Sequence, residues 1–285
     1  MADARPEAGR AEIEKLAGDP TKWQPISGDR GVEVWRVTGP QGEWALKVGR
    51  EEGAAVVARE AAVMTRVGGL ASATSYGRRA QWGRAATSAW LATPWLAGKT
   101  LWEAFQPTRD GRTDYEAGTR AAVDACMAVA ALHQCGWVHG DVQPHHVILM
   151  PGGARLIDWA WGWHASMPPS FAYNGGMVHL MAPELMGQVQ RPVQESQSAE
   201  AWSLAASIWW SASNRCPRDY RALGIDPATF TAATLRKVLV HKPAPLGHMP
   251  GCPQLEQVLR TVLEAPASDR PGALDLAQRL REITP

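Results

Sequence analysis

The residues best suited to chemistry lie between His139 and Asp158. The chain reads His139-Gly140-Asp141 and then, 17 residues beyond Asp141, Ile157-Asp158-Trp159. Two short apolar runs lie in this stretch, each beside an acidic side chain, and Pro151-Gly152-Gly153 supplies a hairpin between them. Two carboxylates placed around a hairpin can converge on one cleft. One can then take or orient the proton of an attacking hydroxyl while the other holds a cation on a polyphosphate, as phosphoryl transfer requires. Lys47, inside Ala45-Leu46-Lys47-Val48, is the matching cation. On a half-buried strand its ammonium would be stranded between apolar neighbours unless a carboxylate met it. The next segment, residues 51–67, supplies one. Val57, Ala61 and Met64 share a helical face with Glu60 among them, and Glu51 and Glu52 are the alternative partners.

These residues need a scaffold of some size. With 285 residues and 45% hydrophobic content, the chain suits two lobes sharing a cleft. Its 29 basic and 28 acidic residues leave a formal charge of +1, with no Lys/Arg block of the kind that follows phosphate backbones. Nucleic acid is not an expected partner. Cys126, Cys135, Cys216 and Cys252 lack Cys-x-x-Cys spacing and read as reduced thiols, Cys126 on a helical apolar face. The N-terminus has no apolar signal core, and the most apolar helical stretch, residues 121–132, is interrupted by Asp124. The expectation is a cytoplasmic protein with no membrane partner.

In chain order, residues 1–22 form an N-terminal extension with a short helix around Ile13 and Leu16, ended by Gly18-Asp19-Pro20; it either caps the sheet or forms a tail. Residues 32–37 alternate, Gly39-Pro40-Gln41-Gly42 turns, and residues 44–48 return as a strand. Gly28-Asp29-Arg30-Gly31 precedes this hairpin as either a plain turn or a backbone flap over phosphates. Residues 68–87 are rich in turns, and an apolar strand then runs through Thr93-Pro94-Trp95-Leu96. A charged connection over residues 107–113 leads to a long helix from Tyr115 to Cys135, stopped by Gly136, with Ala122, Met127, Ala130 and Leu132 as apolar positions. Residues 163–181 read as loop. Trp159, Trp161 and Trp163 read as packing.

Taken together, these motifs resemble the protein-kinase-like superfamily from about Gly28 to the C-terminus. His139-Gly140-Asp141 and Ile157-Asp158-Trp159 are closest to its aminoglycoside-phosphotransferase and choline-kinase branch. Ala182-Pro183-Glu184, the stretch Ser198-Ala-Glu-Ala-Trp-Ser-Leu-Ala and Arg270 resemble the C-terminal lobe of protein kinases. The resemblance implies an α+β, bilobal protein-kinase-like fold, with a small, mainly β N-lobe carrying one helix (residues 23–93) and a larger, mainly α C-lobe (residues 94–285). It implies Asp141 as catalytic base, Asp158 as metal ligand, and His139 as scaffolding near the second Asp. Lys47 would sit on the ATP phosphates, held by Glu60, with Gly28 and Gly31 in the phosphate loop. Thr93 would be the gatekeeper, with the Pro94 carbonyl and Leu96 N–H as adenine contacts; proline lacks a donor but keeps its acceptor. Glu200 would hold the catalytic-loop backbone, and Arg270 would pair with Glu184.

Two positions depart from the family pattern. Gly140 replaces the Arg that clamps a phosphorylated activation segment, so no such switch is expected. His146 replaces a metal-binding Asn: it either ligates a softer ion such as manganese, binds through water, substitutes structurally, or marks lost catalysis. The implied function is an ATP- and Mg²⁺-dependent (or Mn²⁺-dependent) kinase acting on a Ser/Thr hydroxyl of a peptide or protein. It resembles the compact peptide kinases of ribosomal peptide biosynthesis, which would need a separate lyase partner. A small-molecule kinase and a pseudokinase scaffold are the competing readings.

Overall fold

The computed structural model describes residues 5–29, 31–111, 115–167, 169–170, 172–188 and 192–284. Arg30 of the Gly28 turn, residues 112 and 113 of the charged connection, and Pro168 and Phe171 of the long loop lie outside the described residues. The chain divides into two compact units, one reaching to Ala97 and including Asp158–Ala160, the other comprising Gly98–Ile157 and the chain from Trp161 onward.

The first unit is built on alternation. Strands β1 (Lys22–Asp29), β2 (Val32–Gly39), β3 (Gly42–Arg50), β4 (Gln81–Arg84) and β5 (Ser88–Pro94) form an antiparallel sheet in the order β1-β2-β3-β5-β4. The β2–β3 register closes at Gly39 opposite Gly42, which has φ +119°. Trp44, Leu46 and Val48 of β3 pack with Trp35 and Val37 of β2 and with Ile13 and Ala17 of α1 (Arg10–Ala17). The N-terminal helix is therefore a cap on this sheet. Lys47, of opposite parity on β3, projects to the other face and meets helix α2 (Glu52–Val67), which buries Val57, Glu60, Ala61 and Met64. Residues 68–87 are more ordered than their turn-rich composition suggests: a 3₁₀ helix spans Ser72–Arg79, and β4 follows.

The second unit is mainly helical. The unit holds a small sheet of β6 (Lys99–Thr100), β7 (Val147–Met150) and β8 (Gly153–Leu156) and two short helices, α3 (Leu101–Ala104) and α4 (Gln106–Arg109), the second of which takes up the start of the connection expected over residues 107–113. Thr100 caps α3 with a reciprocal Glu103 capping box, a local signal that propensity averages hide. Helix α5 (Glu116–Gln134) buries Cys126 completely but leaves Met127 36% exposed, correcting its expected place on the apolar face. In so alanine-rich a helix the apolar stripe is weakly marked. Helices α6 (Pro183–Met186), α7 (Gln197–Ser213), α8 (Ala232–His241), α9 (Pro253–Leu263) and α10 (Ala273–Glu282) complete the unit.

Almost all of α7 is buried, and it remains polar-neutral because Ser203, Ser207 and Ser211 donate to carbonyls four residues back within the helix. Arg270 holds Glu184 through two bonds, 2.5 and 3.0 Å, and also donates to Ser198 O. None of the four cysteines forms a disulfide. Among the described residues no helix is long and apolar enough to cross a membrane.

Candidate active site

In the first unit the structure brings three of the sequence-predicted residues together. Lys47 Nζ lies 2.7 Å from Glu60 Oε2 and 3.1 Å from Asp158 Oδ1. The remaining oxygen, Glu60 Oε1, accepts the Trp159 backbone N–H at 3.2 Å. Burial alone would discharge the ammonium, but the two carboxylates overcome it and hold the Lys47 pKa above its usual value. Burial pushes the Glu60 carboxyl up, Lys47 counters, and Asp158 adds to the rise. Asp158 sits at φ +66°, a left-handed conformation that Asp tolerates better than most residues and that is often found at functional positions. Arg59 Nε donates to Ala160 O at 3.0 Å, tying the segment after Asp158 to α2.

Sequence reasoning missed Tyr76. Its hydroxyl accepts the Trp159 indole N–H at 3.1 Å, and burial, followed by the Glu60 charge, drives its pKa upward. It lies in the 3₁₀ helix of a segment without periodicity, so nothing local marked it.

The other first-unit candidates lie on the sheet. Thr93 and Pro94 end β5 opposite Ala45 and Trp44. Trp95 N–H donates to Glu43 O at 2.9 Å. Leu96 is half-buried and, among the described residues, its N–H has no acceptor, so a donor remains for a ligand. Gly28 is a strand residue of β1 with open space at its Cα, whereas Gly31 is held close to the start of α2. It has φ +76°, its carbonyl accepts Arg50 N–H at 2.8 Å, and a Cβ there would stand 2.9 Å from Arg50 O.

In the second unit Asp141 sits on a loop pinned from below. His139, fully buried, accepts Asp141 N–H on Nδ1 (3.2 Å), which puts its proton on Nε2, donated to Ile157 O at 3.0 Å. Gly140 N–H donates to Glu200 Oε1 at 2.7 Å, and Glu200 Oε2 lies 2.8 Å from His133 Nε2. Gly140 itself has φ +79°, and a Cβ would stand 2.8 Å from Trp161 O. Crowding and backbone conformation together explain why this position carries no side chain.

Gln143, which the sequence did not single out, donates to Asp141 Oδ2 at 3.3 Å. His146 Nδ1 lies 3.0 Å from Asp141 O and 3.4 Å from Asp141 Oδ2. Because a carbonyl only accepts, the neutral ring carries its hydrogen on Nδ1 and its lone pair on Nε2. A second buried acid, Glu195, accepts from Tyr173 Oη, and burial, with Glu200 and Asp141 nearby, pushes its carboxyl well up.

These residues can be tested against a nucleotide and a divalent ion. Among the described residues no cluster of three or more His, Cys, Asp or Glu forms a protein cage for a metal. Magnesium on a nucleotide takes only one or two carboxylates and completes its shell with phosphate oxygens and water, so a single hard ligand such as Asp158 suits it. The cation at Lys47 and the available donor at Leu96 suit phosphates and a purine edge.

The architecture of the chain is α+β and protein-kinase-like, an antiparallel five-stranded sheet unit followed by a mostly helical one. Over 227 residues it is 24% identical to a probable serine/threonine-protein kinase, PkwA, of Thermomonospora curvata; the match covers 78% of this chain and 28% of that protein. The chain thus spans less than a third of that relative's length. No protein-family model matches it.

Proposed function

We propose that the chain is an ATP-dependent phosphotransferase that moves the γ-phosphate to a Ser or Thr hydroxyl of a peptide or protein, working in the cytoplasm where ATP is available. The observation that carries this reading is the buried Lys47 held between Glu60 and Asp158, a charged cation kept in place by two carboxylates of which one keeps access to solvent: the Asp158 side chain is 35% exposed, that of Glu60 6%. Similarity to a probable Ser/Thr kinase supports the same class.

Each residue then has a task. Lys47 neutralises phosphate oxygens, and Glu60 fixes its position. Pro94 O and Leu96 N–H orient the adenine beside Thr93, with Gly28 and Gly31 in the turn near the phosphates. Asp158 holds the cation, and His146 Nε2 is the added ligand if a softer ion such as Mn²⁺ is used. The bound Mg²⁺ or Mn²⁺ supplies charge neutralisation on the phosphates. Asp141 accepts or orients the acceptor hydroxyl proton, held by His139 and Gln143. A role in peptide maturation beside a separate lyase fits this chemistry.

The test is ATP binding with Mg²⁺ or Mn²⁺, followed by phosphate transfer to Ser/Thr peptides, in wild type, Asp158→Ala and Asp141→Asn. The proposal expects metal-dependent binding lost in Asp158→Ala and transfer lost in Asp141→Asn. Absence of ATP binding with both metals would overturn it. Binding without transfer to any hydroxyl would favour a nucleotide-binding scaffold.

A further inference from the structure

In the second unit the chain ahead of Ala182-Pro183-Glu184 passes beside Asp141. Where a Cβ on Gly176 would stand, the nearest atoms outside its own chain neighbours are Gly140 O at 3.6 Å, Asp141 Oδ1 at 3.9 Å and Tyr173 Oη at 4.0 Å. Gln143 and His146 meet the other carboxylate oxygen, Oδ2, so this segment forms a wall on the Oδ1 side. The wall is made of the least self-supporting residues a chain has. Gly175 and Gly176 are both left-handed, at φ +90° and +77°, and two adjacent glycines keep such a turn only when their flanks are fixed.

Both flanks are fixed. Downstream, a 3₁₀ turn spans Val178–Leu180, and Met181 O accepts from buried Arg218. Upstream, Asn174 O accepts from Arg236 of α8, whose guanidinium also gathers Leu185 O, Met186 O and Gln188 O at the end of α6. One residue earlier Tyr173, 1% exposed, donates its hydroxyl to Glu195 Oε2, and Glu195 is 2% exposed. The Tyr173 ring lies 5.8 Å from that of Trp161.

A buried tyrosine–acid pair is a poor way to stabilise a core. Phe against Leu would fill the space without desolvating a carboxyl, and exchanges of this kind are often neutral or stabilising. What the pair adds is direction, a hydrogen bond that fixes where the chain turns. Its chemistry also suits a permanent contact. Burial, then the Glu200 charge, raises the Glu195 pKa, and the neutral acid can satisfy both of its contacts, Oε2 accepting from Tyr173 and Oε1 donating to Ser203 Oγ 3.4 Å away. Such a tether needs neither a phosphate nor an arginine, in keeping with Gly140 beside Asp141.

We propose that Tyr173 is a positioning residue: its bond to Glu195 holds the Gly175-Gly176 turn against the Oδ1 side of Asp141 and thereby sets the berth of the acceptor hydroxyl. The berth rests on the phosphotransferase reading above, whereas the tether is independent of it.

The experiment compares wild type with Tyr173→Phe, Glu195→Leu, Glu195→Gln and the double variant Tyr173→Phe/Glu195→Leu, all in the full chain. Two quantities are read: the KM of a single-serine peptide with the Kd of ATP alongside, and hydrogen–deuterium exchange of residues 174–177 against that of α7. Gln keeps a carbonyl for the Tyr173 hydroxyl and an amide for Ser203, while Leu keeps neither. Tyr173→Phe and Glu195→Leu should each raise the peptide KM, and speed exchange of the segment, by about tenfold, with ATP binding and α7 exchange unchanged. The double variant should be no worse than either single one, and Glu195→Gln should stay within about twofold of wild type. A peptide KM unchanged in Tyr173→Phe, Gln as harmful as Leu, or a loss that weakens ATP binding and loosens α7 as well overturns the positioning role and leaves the kinase reading standing. If wild type moves no phosphate, the kinase reading falls and exchange alone decides the tether: loosening of the segment in the Phe and Leu variants but not in Gln retains it, and equal exchange in all of them rejects it.

Discussion

Substituting Lys47 by Met should do more than remove the proposed phosphate contact. Glu60, whose side chain is 6% exposed, would lose its 2.7 Å partner at Oε2 and keep only the Trp159 N–H at Oε1. Asp158, 35% exposed, could rehydrate. Removing one partner of a buried pair costs roughly 3–5 kcal/mol, and the surviving N–H bond and the accessible Asp158 place this variant near the lower end, about 3 kcal/mol.

The pH dependence follows from Glu60. Without the ammonium, burial and Asp158 both raise its carboxyl pKa in the folded protein. The penalty is therefore absent below the unfolded carboxylate value of about 4.3 and grows as pH rises toward the folded value. In wild type the raised Lys47 pKa works in a different window: its contribution is complete below about pH 10.4 and fades as pH climbs through the folded value. Urea unfolding followed by tryptophan fluorescence, at pH 5 and pH 8, should show a smaller cost for Lys47→Met at the lower pH. Adding Glu60→Gln should recover most of it. A cost below about 1 kcal/mol, equal costs at the two pH values, or no recovery in the double variant would refute the reasoning. An inactive Lys47→Met protein is thus uninformative about phosphate binding until its stability has been measured.

Arg270→Ala should destabilise by about 3 kcal/mol, since the Arg270 side chain is 2% exposed while the Glu184 left behind is 31% exposed and partly rehydrates; a cycle with Glu184→Gln checks it. Burial pushes the Glu184 carboxyl up, but the Arg270 bonds outweigh this and hold its pKa below the usual range, so its contribution is present above about pH 4.3 and lost as pH falls through the folded value. Arg270→Ala should flatten that acid limb in a pH series of thermal melts. For Gly140→Ala, the left-handed φ and the Trp161 carbonyl predict a loss of about 2 kcal/mol in chemical denaturation. Glu195, with its pKa raised by burial, should make wild type lose stability as pH rises above about 4.3; Glu195→Gln should remove that slope and be relatively more stable at pH 8.

Lys47 and Glu60 were legible because each belongs to a regular element. Alternation set Lys47 opposite Leu46 and Val48, and the helical period placed Glu60 among Val57, Ala61 and Met64. Glu184 and Arg270 could be matched across 86 residues only through family resemblance, since no local pattern links them. Tyr76 and Glu195 escaped notice for a related reason. Tyr76 lies in a 3₁₀ helix, Glu195 in irregular chain before α7, and their partners are distant in sequence, so neither period nor composition signals them. Met127 was misplaced because alanines on every side of α5 leave the buried stripe without contrast. Helices α3 and α4 are each a single turn, too short for periodicity to register; only the Thr100–Glu103 cap announces the first.

The loop bearing Asp141 is fastened to α7 at two backbone points, Gly140 N–H on Glu200 and Val142 C=O on Ser207 Oγ. Both anchors are buried, and the Ser207 hydroxyl shares its one hydrogen between Val142 O at 3.0 Å and Ser203 O at 2.7 Å. On the clock of hydrogen–deuterium exchange, the Gly140 amide should therefore belong with the core helices and not with surface turns, exchanging only when α7 itself comes apart. A loop that stiff holds a single geometry. The ordering entropy of the aspartate's backbone is settled when the chain folds, so that on the phosphotransferase reading an acceptor hydroxyl would meet a carboxylate support already in place.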